Sequence, residues 1–272
     1  MPEIYLAGLG IRSVAQVTRE TEAALRLCRE ILFLDTGLAT EAWLSSLGPQ
    51  FTALYGESYA ETGARRSAYH HMAARVVAAA LDHPPVAFAV HGHPIVGVMA
   101  PQLLAHAARP LGLEVEVLPA VSTLDCLFAD LLFDPVAEGL QMFEATDMLL
   151  RRRPVQTDLA LILWQVGTVE SCLHTQNAPR PERFLRLRDY LLQFYPRDHP
   201  ATAVFASPHP LLPAETDTFP LQALSDMAER LHPGITLFIG PVGRRPVTDT
   251  ALLALLENVE HLRRITHRAP ER

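Results

Sequence analysis

The chain has 272 residues, a formal charge of -7, 49% hydrophobic residues and three cysteines. That length suits one large domain or two ordinary ones with a well-supplied core. The acidic balance speaks against nucleic acid or an anionic membrane as partner. Cys28, Cys126 and Cys172 are far apart with no CxxC pair, so a disulfide scaffold is not expected and buried thiols in apolar surroundings are. No basic segment with a long apolar core opens the chain, so no secretory signal is read and a cytoplasmic location is expected.

Residues 3–10, EIYLAGLG, read as a strand ending in Gly8-Leu9-Gly10. A helix is predicted from Thr18 to Cys28 or Arg29, and Ile31–Leu34 as a second strand. The GxGxxG dinucleotide fingerprint fails because residue 13 is serine, leaving a GxG that is either a tight turn or ligand-facing. A short helix is predicted over Thr40–Leu47, then a polar, glycine-containing stretch that includes Tyr59. From Ala64 the chain becomes an alanine-rich helix to about Leu81, on which Arg65 and Tyr69 are four apart and share one face. Two tyrosines and an arginine there either point into one cleft or are ordinary packing and surface residues.

Residues 86–101, VAFAVHGHPIVGVMAP, form the central feature. An apolar run, Val86–Val90, breaks into His91-Gly92-His93-Pro94, as a buried parallel strand does on entering a loop at its carboxyl end. Ligands of open α/β sheets bind at such ends. The same stretch is too polar to cross a membrane. A helix is predicted over Pro101–Arg109, a strand over Glu114–Leu118, and a helix from about Leu124 capped by Ser122 or Thr123. Pro119 is the candidate domain boundary. Beyond it come helices to about Leu132 and Leu150, a buried strand over Asp158–Val166 and helices at 169–175 and 180–194. A strand at 201–206 follows, then extended Thr218–Gln222 and a helix over Leu221–Leu231. A last strand, Thr236–Ile239, precedes a terminal helix over Asp249–Arg264. Twelve histidines invite a metal reading, but HExxH and cysteine ligand spacing are absent, so no metal is expected. GxSxG and GxxxxGK[ST] are also absent.

The run LPAVSTLDCLFADLLFDPVAEGLQMFEATDMLL, Leu118 to Leu150, resembles the borosin-type peptide backbone N-methyltransferases, a branch of the tetrapyrrole (corrin/porphyrin) methylase superfamily. HGHP at His91–Pro94, QVG at Gln165–Gly167 and the Tyr59, Arg65, Tyr69, Met72 spacing extend the match. The resemblance implies a two-domain α/β class III methyltransferase fold, 1–119 and 120–246 with a C-terminal helix and tail at 247–272. It implies S-adenosylmethionine in the interdomain cleft, S-adenosylhomocysteine as product, and a homodimer. Carried over by motif, the cofactor contacts are Gly8, Gly10, His93, Val96, Gly97, Ser122, Thr123, Leu124, Gln165, Ile235 and Thr236. The catalytic set is Tyr59, Arg65, Tyr69 and His91, with His91 standing where the family has tyrosine. The reaction expected is N-methylation of backbone amides. One of the two tyrosines, as tyrosinate favoured by Arg65, would take the amide proton; which one stays open. Arg65 could also donate to the amide oxygen. The final ITHRAPER lacks a Val/Ile-rich core, so a separate precursor peptide is the expected substrate. The alternatives are a small-molecule methylase of the tetrapyrrole type and a non-catalytic peptide-binding protein of the same fold.

Overall fold

In the computed structural model, residues 1–34, 38–59 and 62–267 are described. The first half runs β1 (Ile4–Gly8), α1 (Arg19–Leu27), β2 (Glu30–Leu34), α2 (Leu38–Ser45), β3 (Gln50–Ala53), α3 (Tyr55–Ser58), α4 (Arg65–Asp82), β4 (Val86–Val90), α5 (Ala100–Ala108) and β5 (Val115–Leu118). Its strands make one sheet in the order β3-β2-β4-β1-β5, with every neighbouring pair parallel. The two central strands are buried throughout, and their side chains alternate between two cores as the two-residue strand period requires. Val86, Phe88 and Val90 pack with Met72, Val76 and Leu104 from α4 and α5. Ala87 and Ala89 pack on the other face with Leu25 and Leu44 from α1 and α2. Burial on both faces is why β4 reads as an unbroken apolar run. The chain leaves β1 toward β2 on one side and leaves β4 toward β5 on the other. The loops after β1, β4 and β5 therefore gather at one carboxyl edge, where the topology opens a crevice.

The second half runs α6 (Thr123–Leu131), α7 (Pro135–Glu138), β6 (Leu140–Glu144), α8 (Ala145–Arg151), β7 (Ala160–Trp164), α9 (Glu182–Leu191), β8 (Pro200–Phe205), β9 (Glu215–Pro220), β10 (Thr236–Ile239), α10 (Thr250–Leu253) and α11 (Val259–Ile265). Its strands form a second sheet, β6-β7-β10-β8-β9. Only β6 and β7 pair in parallel; the rest are antiparallel. Leu161, Leu163 and Leu237 meet Phe184, Leu187 and Leu191 of α9 in its main core.

Several expectations need correction. Gln50–Ala53 is a strand at the sheet edge; its residues are mostly exposed, so no apolar alternation announces it. No helix forms over 169–175. A short 3-10 turn at Val166–Thr168 leads into an extended strap whose Leu173 bridges Ala64. The extended piece expected at 218–222 begins earlier, at Glu215, and Leu221–Arg230 winds as a 3-10 helix rather than an α-helix. The terminal helix is two short ones, each with its own N-cap, Asp249 and Asn258. Cys28 and Cys126 are buried, but Cys172 is exposed. Among the described residues, no helix is long and apolar enough to cross a membrane.

Candidate active site

The three loops at the carboxyl edge of the first sheet are bound to one another. Gly10 and Gly92 exchange backbone hydrogen bonds, Gly92 N–H to Gly10 O at 2.9 Å and Gly10 N–H to Gly92 O at 3.3 Å. A β-carbon on Gly8 would lie 2.6 Å from that of Ala120 and 2.7 Å from Gly92 O, so only glycine lets the loops after β1, β4 and β5 meet. In the β1 loop, Gln16 Oε1 accepts from both Ile11 N–H and Arg12 N–H at 2.8 Å, so these two amides are already engaged. Gly97, at φ +70°, has open space beside its α-carbon, and a ligand could approach the backbone closely there. His93 Nδ1 accepts from Ile95 N–H at 3.1 Å and holds the turn before Val96.

Ser122 is buried and caps α6 in a reciprocal capping box. Its hydroxyl donates to Asp125 Oδ2 at 2.6 Å. That side chain is therefore occupied, and Thr123 and Leu124 form the first turn, whose leading N–H groups have no partner within the helix. Across from these loops, Gln165 follows β7 at φ +56°, an uncommon conformation for a non-glycine residue. Ile235 and Thr236 are buried where β10 begins.

Tyr59, Arg65, Tyr69 and Gln165 come together on one cavity of about 560 Å³. The rings of Tyr59 and Tyr69 meet edge to face, 6.3 Å apart. Arg65 reaches across to the second half of the chain. Its Nη1 donates to Gln165 Oε1 at 3.2 Å and Thr168 Oγ1 at 3.1 Å, and its Nη2 to Ser171 O at 2.7 Å. Two of the five N–H groups of the guanidinium remain uncommitted among the described residues. Burial, first, and the neighbouring Tyr69, including a hydrogen bond to it, push the Tyr59 phenol well above the ordinary tyrosine range. Arg65 acts in the opposite sense but more weakly, so the expected tyrosinate does not fit Tyr59, which holds its proton. His91 is exposed at the end of β4, its backbone N–H bonded to Leu34 O, and it lines neither this cavity nor the adjoining one. The adjoining cavity, about 510 Å³, shares Arg65, Tyr69 and Gln165 and adds Gly97, Met99 and Cys172.

Sequence reasoning missed the strap. Thr62 N–H donates to His174 O at 2.9 Å, His174 N–H to Gly63 O at 2.8 Å and Arg65 N–H to Cys172 O at 2.9 Å. This brings the ring of His174 to 4.8 Å from that of Tyr59. Tyr55 completes the cluster, 5.0 Å from Tyr59. Tyr55 sits one helical turn before Tyr59, whose N–H bonds its carbonyl; no local motif marks His174, which only the backbone pairing across a hundred residues brings in. The acidic residues of this region serve elsewhere: Asp125, Asp134 and Glu144 cap helices, and Asp147 pairs with Arg151 and Arg153.

Residues 3–206 match the family of tetrapyrrole (corrin/porphyrin) methylases. The chain belongs to that family. Two curated relatives carry a methyltransferase and a peptide precursor in one name. The methyltransferase/ribosomally synthesized cyclic peptide dendrothelin A precursor of Dendrothele bispora is 31% identical over 93% of this chain and 61% of its own length. The corresponding omphalotin A precursor of Omphalotus olearius is 30% identical over 89% of this chain and 58% of its own. The chain thus spans about three fifths of these relatives. Among solved methylases, uroporphyrin-III-C-methyltransferase from Thermus thermophilus superposes with a TM-score of 0.63 at 18% identity, covering 89% of this chain and 93% of that one. The same enzyme complexed with S-adenyl homocysteine gives 0.62 at 16%, covering 88% and 97%. At such identities the structures establish the tetrapyrrole-methylase fold.

Proposed function

We propose that this methylase transfers methyl groups from S-adenosylmethionine to backbone amide nitrogens of a peptide. The observation that carries the reading is the Tyr59–Tyr69 phenol pair beside Arg65, on a cavity walled by both halves of the chain. The names of the curated relatives, each joining a methyltransferase to a cyclic-peptide precursor, support a peptide as acceptor.

The residues present fit the cofactor. Of the residues carried over by motif, Gly97 and Gln165 line one cavity; on this reading the glycine turn at Gly8–Gly10, His93 and Val96, the first turn of α6 at Ser122, Thr123 and Leu124, and Ile235 and Thr236 extend the cofactor site beyond it. The open space at Gly97 and the free N–H groups at the start of α6 suit a ligand carrying a carboxylate and ribose hydroxyls. When bound, S-adenosylmethionine supplies a methyl on a sulfonium, a strong electrophile.

A peptide nitrogen is a poor nucleophile because its lone pair is delocalised into the carbonyl, so the protein must remove the N–H proton. Burial disfavours ionisation of Tyr59, which is hydrogen-bonded to Tyr69. On this reading Tyr69 is the base and Tyr59, which favours its neutral form, is the supporting phenol. The remaining N–H groups of Arg65 can hold charge developing on the amide oxygen. His91, at the carboxyl end of β4, lies outside both cavities and takes no part in this reading. We read residues 1–119 and 120–246 as the two lobes, with 247–272 appended, and two copies as the working assembly.

The test is mass spectrometry of a synthetic Val/Ile-rich peptide incubated with the chain and S-adenosylmethionine. The expected result is methyl gains located on backbone nitrogens by fragmentation. A gain on a porphyrinoid with none on any peptide would replace this reading with small-molecule methylation. Absence of cofactor binding by calorimetry would leave only a peptide-binding protein.

A further inference from the structure

Each methyl placed on an amide nitrogen displaces one proton, and Tyr69 must lose that proton before it can act again. On the methylation reading the peptide sits in the large cavity, and a route that bypasses it would free the proton. A second cavity adjoins Tyr59. It measures about 320 Å³ and is lined by Ser58, Ser67 and His71 as well as Tyr59 and His174. Tyr59 and His174 are the two side chains common to this cavity and the large one. The Ser58 hydroxyl is buried without a hydrogen-bond partner among the described residues, and His71, farther along α4, is exposed. A polar space of this size can hold water, given polar groups to anchor it. Backbone hydrogen bonds on both sides of His174 hold its ring against Tyr59.

We propose that His174 is a proton-relay residue that passes the proton taken from the peptide amide out through this second cavity. The inference rests on the methylation reading above. In the sequence of events the amide proton reaches the Tyr69 oxygen as the nitrogen–methyl bond forms and the methyl–sulfur bond breaks. Tyr59 then gives its proton, directly or through water in the cavity, to a ring nitrogen of His174 and takes the proton of Tyr69 in exchange. Tyr69 returns to the phenolate, Tyr59 is a phenol again, and the imidazolium loses its proton to solvent beside His71. An imidazole suits this step because it exchanges protons near neutral pH. The charged and titratable groups around it are Tyr55 and Tyr59 from the α3 end and Arg65, Tyr69 and His71 from α4. Arg183 and Glu229 lie farther along the large cavity.

Two measurements test the relay. The first is the pH profile of methyl transfer to the Val/Ile-rich peptide. His174→Phe keeps a ring against Tyr59 but has no acceptor nitrogen. Its rate at pH 7 should fall about 10²-fold, the low end for a positioned proton-transfer group, climb as pH rises, and recover in part with added imidazole. His174→Gln gives the same comparison if phenylalanine disturbs the strap. The second needs no turnover. The His174 ring, followed by NMR, should titrate at a different pH in Tyr59→Phe and at the same pH in Tyr190→Phe, a tyrosine outside both cavities. Wild-type rates in His174→Phe at every pH overturn the proposal. So does a loss by one constant factor without imidazole rescue, or a His174 titration indifferent to Tyr59. An enzyme inert toward every peptide, with the His174–Tyr59 coupling intact, would defeat the methylation reading and leave the histidine–tyrosine coupling in place.

Discussion

Among single residues, Tyr59 and Tyr69 have the same phenol and different tasks. Burial favours the neutral form of Tyr59, so on the methylation reading it is the supporting phenol, and Tyr69→Phe should be the more damaging change. We expect Tyr69→Phe to lower the methylation rate by at least about 10²-fold and Tyr59→Phe by less; initial rates of the two variants decide. Burial also pushes the phenol of Tyr195 and the thiol of Cys28 up to about 12. Raised values mean that the fold favours the protonated form. That stability is complete below the ordinary thiol and phenol ranges and is lost as pH climbs toward the folded values. Thermal midpoints should therefore hold steady near neutrality and fall above roughly pH 9; a midpoint that rises there would contradict the assignment. The Tyr195 hydroxyl is buried without a partner among the described residues. Tyr195→Phe should leave stability unchanged or raise it by up to about 1 kcal/mol, measurable by urea unfolding.

At the level of elements, caps and close approaches fix the loops at the carboxyl edge. Ser122→Ala removes the capping box of α6 and should cost about 1 kcal/mol. Gly8→Ala would drive a β-carbon into Ala120 and Gly92 and should cost more, about 1–3 kcal/mol, with weakened cofactor binding by calorimetry. The strap at 171–174 is an element of another kind. It has no regular hydrogen-bond ladder and no apolar period, and it is ordered by residues 62–65 and by the Arg65 side chain. The helix expected at 169–175 failed for that reason: distant pairing overrode a weak local propensity. The edge strand β3 was hidden similarly, since a strand paired on one side and mostly exposed carries little apolar pattern.

In the whole molecule the site depends on the junction of two sheets. Arg65 ties the start of α4 to Gln165, Thr168 and Ser171. Because a bidentate arginine is not replaced by a single ammonium, Arg65→Lys should loosen the junction. Hydrogen exchange at His174 and neighbouring amides should quicken, while amides of β4 and β7 keep their protection; equal protection everywhere would show that the tie is dispensable.

Local chemistry was enough to read β1, β4, α4, the Ser122 cap and the glycine turns. Apolar runs, alternation, i,i+4 spacing and capping residues act over a few positions and survive in one dimension. The family motif carried Tyr59, Arg65, Tyr69 and Gln165 as a set. Folding decided what those residues touch. Arg65 spends three N–H groups on the far half of the chain, Tyr59 is too buried to ionise readily, and His174 arrives beside it from more than a hundred residues away. Burial and long-range hydrogen bonding depend on the surroundings in three dimensions, and neighbours along the chain do not encode them.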